Sequence, residues 1–581
     1  MNKKIICFLL CMVMLLGTLV GCSNETTDEA LDNIDKEASE SAVTLAMYLL
    51  CEEEVSPEQE AKIEEAVNKI TKSKFRTKLD LYFYTEDKYY EALEASFQAR
   101  LEAEEEGLIH EPDPDEKVED ETFKDELGVS QIKYPTIDGF QVDIFYVAGY
   151  EKFLKYKDEE KFSRLDDELT SASKILTDCI TPSLLTYMKS MNGGTYALPT
   201  NTGVGEYTYL LLNKDILEKT RYNTTAGLAQ FTGLTCNATK SVVSQVAADH
   251  KEYVPLYSCL GEDGLSITGM KYWGVDANGN MSQNFSAISS SYSYTAAYDT
   301  PAAYMHTVGS TLANQDFVNQ VRTLKTYKMN GYFGTQKDLD EGKVAIAYMK
   351  GSADIPVKYA DKYEAVIIEN PIVNTEDVYS NMFAVSSYTA SVARSMQILC
   401  YLNTDVEFRN LILYGIEGEN YQLVDSDYEM ANGEPYKVVR RLNNSYVMDV
   451  NKTGNTLMAY VLEGEDPTLN NYKAIQNNSI KVSLTMGFHF SSGDKVVDPA
   501  LLQELREFSA QVYDKIAAID CTSEATIDAA LNSLRMEIAL TPCVEALSDK
   551  SEPAENSTTC GLGYAYEQWG INTGIYDPND I

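Results

Sequence analysis

The sequence predicts an α/β fold in two or more lobes, and three observations carry that expectation. At 581 residues with 44% hydrophobic content, the chain can bury a large core and exceeds the span of one compact unit. From residue 42 a β-α-β-α rhythm sets in. Strand-to-helix steps return at 207–219 and 383–415, and a buried strand ending in a Gly-Ser loop at 340–354. "AVTLAMYLL" (42–50) reads as a first strand; "SPEQEAKIEEAVNKIT" (56–71) has a capping Ser56, Pro57 at the first helical position and helically spaced Ile63, Val67 and Ile70. "TKLDLYFYT" (77–85) alternates as a strand, and "EDKYYEALEASFQARLEAEEE" continues as helix. "QVDIFYVAGY" (141–150) is a third strand, and "FSRLDDELT" leads into the next helix. "GGTYALPTNTGVGEYTYLLLNKDILEK" (193–219) reads as a hairpin-like segment, a Gly-rich turn, a buried strand and a helix start. The segment 220–330 is rich in Tyr, Ser, Thr and Asn, with turns and amphipathic aromatic edges; "KVAIAY" then gives another buried strand. "SNMFAVSS" is a strand, 389–415 holds long amphipathic helices, and helix returns at 498–519. No internal repeat is found.

The N-terminus has a different character. Lys3 and Lys4 precede sixteen uninterrupted apolar residues, "IICFLLCMVMLLGTLV" (5–20), the pattern of a secretory signal. Such a helix spans roughly 24 Å at 1.5 Å per residue, short of the ~30 Å hydrocarbon core, which weakens a permanent membrane span. Leu19-Val20-Gly21-Cys22 resembles the lipobox of bacterial lipoproteins, which implies a signal peptide at 1–21 and acylation of Cys22 (palmitate-type chains) after cleavage. An ordinary signal peptide that happens to carry a cysteine is the alternative. Residues 22–40 are acidic and small, without apolar period, and read as a flexible tether.

Composition excludes some partners. A formal net charge of −41, more negative once Lys3 and Lys4 are removed, argues against nucleic acid, which needs a basic surface, and disfavours polyanions. Beyond Cys22 there are eight cysteines, at wide spacings and without CxxC: Cys51, Cys179, Cys236, Cys259, Cys400, Cys521, Cys543 and Cys560. Most read as buried thiols; Cys543 and Cys560 flank a polar loop and are the pair to test for a disulfide. Between Glu102 and Glu126 stand 13 acids against Lys117 and Lys124, the mark of a solvated insertion.

Signatures of catalysis are missing. The four histidines, His110, His250, His306 and His489, are far apart and none stands in a metal-ligand spacing; no catalytic residue, metal or cofactor is expected. "GLSITG" (264–269) has Thr268 where a nucleophile elbow needs glycine, and "DANGN" (276–280) lacks the glycine and glutamate of a calcium loop. A glycoside-cleaving carboxylate pair is defined by distance, so 89 acids leave it open at this stage. More informative are 40 tyrosines against Trp273 and Trp569, because tyrosine offers a flat apolar face with a hydroxyl, suited to sugar rings; for any one tyrosine, core or surface packing is the commoner use.

Several blocks, taken in order, resemble a family. "DIFYVAGYEKFLKYKDEEKFSRLDDEL", "YALPTNTGVGEYTYLLLNKDILEK" and "EGKVAIAYMKGS", behind a lipobox, resemble the family 1 extracellular solute-binding proteins, the capture subunits of ABC importers. "FAVSSYTASVARSMQILCYLNTDVEFRNLILYGIEGENYQL" (383–423), Asn451, "TGN" (453–455), "MGFHF" (486–490) and "YEQW" (566–569) are similar to its LipO-like branch. The resemblance covers nearly all of 41–581; the acidic insertion at 102–126 and the Tyr/Ser-rich segment near 285–305 depart from it.

The resemblance implies a two-lobed clamp of the periplasmic-binding-protein type II kind, with hinge strands and extra C-terminal helices. Lobe 1 is expected at about 41–210 plus part of 380–581, and lobe 2 at about 211–375. It implies a monomeric, non-enzymatic protein at the bacterial cell surface, lipid-anchored to the outer face of the cytoplasmic membrane. Its partners would be a carbohydrate, in particular an oligosaccharide, held in a cleft between the lobes, and the permease subunits of an ABC transporter. A peptide or other small polar solute, and a glycan-processing enzyme with a carboxylate pair, are the alternatives. Ligands of open α/β sheets lie beyond the carboxyl ends of strands. On the strands expected here that rule points to Glu86 and Asp87, to Gly149 and Tyr150, and to Tyr348, Lys350 and Ser352, with Glu206 and Tyr207 from the turn before a strand. Glu417 and Tyr421 join them by position in the family block, and Trp273 is the stacking candidate.

Overall fold

The computed structural model describes residues 41–108, 122–124, 127–137, 139–171, 173–260, 273–275, 281–283, 288–290, 308–310, 312, 315–430, 432–482, 487–488, 490–547 and 549–572. The signal-like segment, Cys22, the tether, most of the acidic insertion and most of the Tyr/Ser-rich segment lie outside the described residues. Among the described residues, no helix is long and apolar enough to cross a membrane.

In chain order, the elements that position the candidate site begin with β1 (Val43–Cys51), α1 (Pro57–Phe75), β2 (Thr77–Thr85) and α2 (Glu86–Glu105). β3 (Ile144–Val147), α3 (Tyr150–Asp158), α4 (Pro182–Asn192) and β4 (Ala197–Pro199) follow. Then come β5 (Tyr207–Asn213), α5 (Asn237–Asp249), β6 (Val254–Ser258), α6 (Gln315–Met329), β7 (Val344–Gly351) and β8 (Tyr363–Glu369). β9 (Met382–Val385), α7 (Val392–Thr404), α8 (Val406–Tyr414), a hairpin of β10 (Tyr421–Glu429) and β11 (Pro435–Arg441), and α9 (Leu469–Asn477) come next. α10 (Pro499–Ala517), α11 (Glu524–Ala539) and α12 (Leu562–Asn572) complete it.

Local chemistry sets most of these bounds. The Ser56 hydroxyl accepts the Gln59 N–H at 3.3 Å, Pro57 opens α1, and Arg76 closes it in the left-handed region at φ 49°. The strand expected over 141–150 is shorter, because Gly149, at φ 87°, turns the chain into α3 directly after β3. The helical stretch 389–415 is divided at Asp405, whose carboxylate accepts the Phe408 N–H at 2.7 Å and so starts α8. The "hairpin-like" segment is not a hairpin: β4 pairs with β9, far along the chain. The helix expected after "FSRL" is one short turn, Asp166–Thr170.

The described residues form two compact units, those up to Gly203 with 376–478, and those of 204–375 with those from Ser479 onward. The change expected near 210 thus falls between Gly203 and Val204, because β5 is a central strand of the second sheet, and the C-terminal helices join the second unit. In the first unit the sheet order is β2-β1-β3-β9-β4, with β1, β2 and β3 parallel and β9 reversed between β3 and β4. In the second it is β8-β5-β7-β6, with β6, β7 and β8 parallel and β5 reversed. Each reversed strand is the first that the chain builds after passing from the other unit, at 203/204 and 375/376. It therefore starts at the edge where the parallel strands end.

β5 is buried along its whole length, and its alternate residues feed two cores. Leu210 and Leu212 pack with α5, α6 and the C-terminal helices, whereas Tyr207, Tyr209 and Leu211 pack with Leu339, Met349 and Tyr363. Strands also form where the chain leads to and from its crossings: Ile372–Val373 pairs in parallel with Lys481–Val482. Gly205, at φ 66°, lies so close that a Cβ there would stand 2.9 Å from the Ile372 carbonyl oxygen. Cys543 and Cys560, like Cys51 and Cys400, are buried thiols and form no disulfide with one another.

Candidate functional site

In the first unit the carboxyl edge of the parallel strands is formed by the ends of β1, β2 and β3, with the start of β9 beside them. Glu86 and Asp87 follow β2 there, as the strand rule expected, and both are exposed. The Thr85 hydroxyl donates to Asp87 at 2.6 Å and holds its carboxyl below the usual range. Lys452 joins the edge from a distant part of the sequence. Its half-buried ammonium lies 3.3 Å from Glu52, 3.7 Å from Glu86 and 3.9 Å from Asp449. Three carboxylates sharing one ammonium leave the group anionic. The Tyr146 hydroxyl donates to Asn381 Oδ1 at 2.5 Å, and the Ala148 N–H donates to the Tyr90 hydroxyl at 3.1 Å. Burial first, and then Tyr90, Asp449 and Glu86, raise the Tyr146 phenol. The Tyr90 phenol is pushed up to about 12, chiefly by burial. Lys152 lies 3.0 Å from the centroid of the Tyr90 ring, and desolvation pulls its ammonium down. The edge thus offers carboxylates, an ammonium, phenols and an amide, a set suited to hydrogen-bonding hydroxyls.

In the second unit β6, β7 and β8 end together, beside the start of β5, with Gly351 opposite Tyr207 and Glu369 opposite Thr208. Glu206 and Lys350 are exposed at this edge, and Ser352 is half-buried. The Cys259 thiol, just past β6, lies within electrostatic range of both Lys350 and Glu206, which brings the ends of three strands together. The Ser352 hydroxyl donates to Asp354, while its carbonyl accepts the Tyr209 hydroxyl at 3.2 Å.

The tyrosines named from sequence are buried. Tyr150 is buried against Tyr379, ring centroids 4.7 Å apart, and burial pushes its phenol up to about 12. Tyr207 and Tyr348 are buried on opposite faces of the second sheet. Tyr421 is buried beside Tyr414 at 5.7 Å, and Glu417 accepts the Leu423 N–H at 3.5 Å; both belong to the turn and hairpin after α8, outside the five-stranded sheet. Gly149 donates its N–H to the Tyr379 carbonyl at 2.8 Å. Trp273 opens a short strand, Trp273–Val275, and its side chain lies outside the described residues. Glu52, Tyr90, Asn381, Asp449, Lys452 and Cys259 were not singled out from sequence. Glu52 was within reach, because it follows β1 as Glu86 follows β2; Lys452 gave no local signal. Among the described residues, no group of three or more His, Cys, Asp and Glu side chains could hold a metal.

No family model matches the chain, and no curated protein does. Among solved structures it is similar to the N-glycan transport solute-binding protein of Streptococcus pneumoniae, with 16% identity, 91% of this chain and 99% of that one covered, and a TM-score of 0.45. A family 1 extracellular solute-binding protein of Alicyclobacillus acidocaldarius subsp. acidocaldarius gives 10% identity, 88% and 100% coverage, and a TM-score of 0.40. An extracellular solute-binding protein of Bifidobacterium longum subsp. infantis gives 12%, 91% and 98%, and 0.38. The similar structures are solute-binding proteins. Likeness at this level assigns no site residue and no ligand here.

Proposed function

We propose that this protein is an extracellular solute-binding protein that captures a carbohydrate, in particular an oligosaccharide, and delivers it to an ABC permease while anchored to the membrane through acylated Cys22. One observation carries the reading: in each unit the parallel strands stop at one edge, and hydroxyl-binding groups collect there, Glu52, Glu86, Asp449, Lys452 and Asn381 in one and Glu206, Lys350 and Ser352 in the other. The chain passes between the two units through 200–206 and 370–381. The sequence blocks at 383–423 and 451–455 favour the same family. Binding needs no covalent step, and no enzymatic role is proposed.

The test is thermal unfolding of the full chain in detergent against oligosaccharides, monosaccharides and short peptides. A ligand at 100 times its dissociation constant adds about 2.7 kcal/mol of stability, readily seen as a melting shift. A shift confined to oligosaccharides, without release of cleaved product, is the expected result. A shift with peptides alone, or hydrolysis of the glycan, would overturn the reading.

A further inference from the structure

We propose that the first unit carries a second ligand site, a pocket for a small carboxylated sugar, walled by α8, α9 and residues 441–465. The cavity holds about 330 Å³, at the low end of the ~300–1,000 Å³ typical of small-molecule sites and large enough for one substituted ring. Its lining brings together the rings of Tyr414 and Tyr460, the side chains of Asn451 and Asn470, and two cations, Arg441 and Lys473. The Tyr414 hydroxyl donates to the Tyr460 carbonyl at 2.6 Å, which fixes that ring in the wall.

The charges decide the ligand class. In a chain of net charge −41, cations without carboxylate partners are informative. Arg440, next in sequence to Arg441, is spent on Glu463. Arg441 instead donates to the Tyr446 carbonyl at 3.4 Å and lies 5.4 Å from the Tyr414 ring centroid. Among the described residues, neither it nor Lys473 has a carboxylate partner. The pocket's own carboxylate, Glu465, is engaged by the Leu462 N–H at 2.9 Å. Behind the wall stands Arg409, with no exposed surface, which donates to the carbonyls of Val450 at 2.8 Å and Asn455 at 3.1 Å; its Nη1 has no partner. Val450 lines the cavity. Two cations against one carboxylate in the lining, with Arg409 behind the wall, leave the pocket net positive and favour a carboxylate, while the tyrosine faces and amides suit a ring and its hydroxyls. The lining shares no side chain with the strand-edge groups described above.

Calorimetric titration of the full chain with D-glucuronate, D-glucose and glucose 6-phosphate tests this. D-glucuronate should bind at least about tenfold more tightly than D-glucose, the difference a charge-assisted hydrogen bond supplies. Lys473→Gln, an exposed helical position, should leave the melting temperature unchanged and weaken glucuronate by roughly tenfold, with Arg441→Gln acting in the same direction. Equal binding of glucuronate and glucose, tighter binding of glucose 6-phosphate, or unchanged glucuronate affinity in Lys473→Gln would overturn the proposal. A melting shift with peptides alone in the unfolding assay, or hydrolysis of the glycan, with glucuronate binding intact, would instead overturn the function proposed above and leave this site standing.

Discussion

Asp143 is a carboxylate with no exposed surface, and it receives the N–H groups of Ala46 at 2.7 Å and Ala390 at 2.6 Å, the Thr389 hydroxyl at 2.6 Å and the Gln141 amide. Burial raises its pKa, and these donors work against that rise. Asp143→Ala would strand several buried donors at once, so a loss of more than about 3 kcal/mol is expected in urea unfolding. Glu94 behaves in the opposite sense. Desolvation pushes its carboxyl up, but the hydrogen bonds from Lys155 at 2.8 Å and Lys161 at 2.6 Å prevail and bring it to about 2. A carboxyl whose folded pKa is depressed binds fewer protons folded than unfolded, so its contribution is complete above the unfolded value of about 4.5 and is lost as pH falls toward 2. With the side chain 35% exposed, solvent screening limits the effect to about 1 kcal/mol. Unfolding of wild type and Glu94→Gln should differ by that amount at pH 7 and converge near pH 2.

At the scale of elements, β5 and β9 run against their parallel neighbours because each begins at the edge where the chain arrives from the other unit. The segment leading into β5 depends on Gly205. Its positive φ and the 2.9 Å approach of a Cβ to the Ile372 carbonyl oxygen leave no room for a side chain. Gly205→Ala should cost about 1–3 kcal/mol, through left-handed strain and displaced backbone, and should lower amide protection at 372–373 in hydrogen exchange. The rhythm of β1, α1, β2 and α2 was legible within a few residues, because apolar period, Ser56 and Pro57 are local signals. The pairing of β4 with β9 was not, because three residues carry no record of a partner that distant.

For the molecule as a whole, the segment 479–581 completes the second unit's core. Leu505, Ile527 and Leu531 are fully buried among Phe317 and Val321 of α6 and Leu210 of β5. Lys325 of α6 donates to the Ala517 carbonyl at 3.1 Å, and Arg322 pairs with Asp528. Leu531→Ala should cost about 2–5 kcal/mol by opening a cavity there. Hydrogen exchange should show the loss in α5, α6 and β6 and leave protection of β1 and β3 unchanged.

The sequence by itself determined the α/β character, the bounds of β1, α1, β2 and α2 to within a few residues, and the place of Glu86 and Asp87 directly after a strand, because these rest on neighbours within a turn or two. Tertiary structure alone decided that Tyr150, Tyr207, Tyr348 and Tyr421 would be spent on cores, since a tyrosine's face is identical in a site and in a core until its neighbours arrive. It also decided that Lys452 would meet Glu52 and Glu86, and that Arg409, Arg441 and Lys473 would collect around one pocket. Such meetings join residues tens to hundreds of positions apart, and their energy comes from burial and charge placement that no local period encodes.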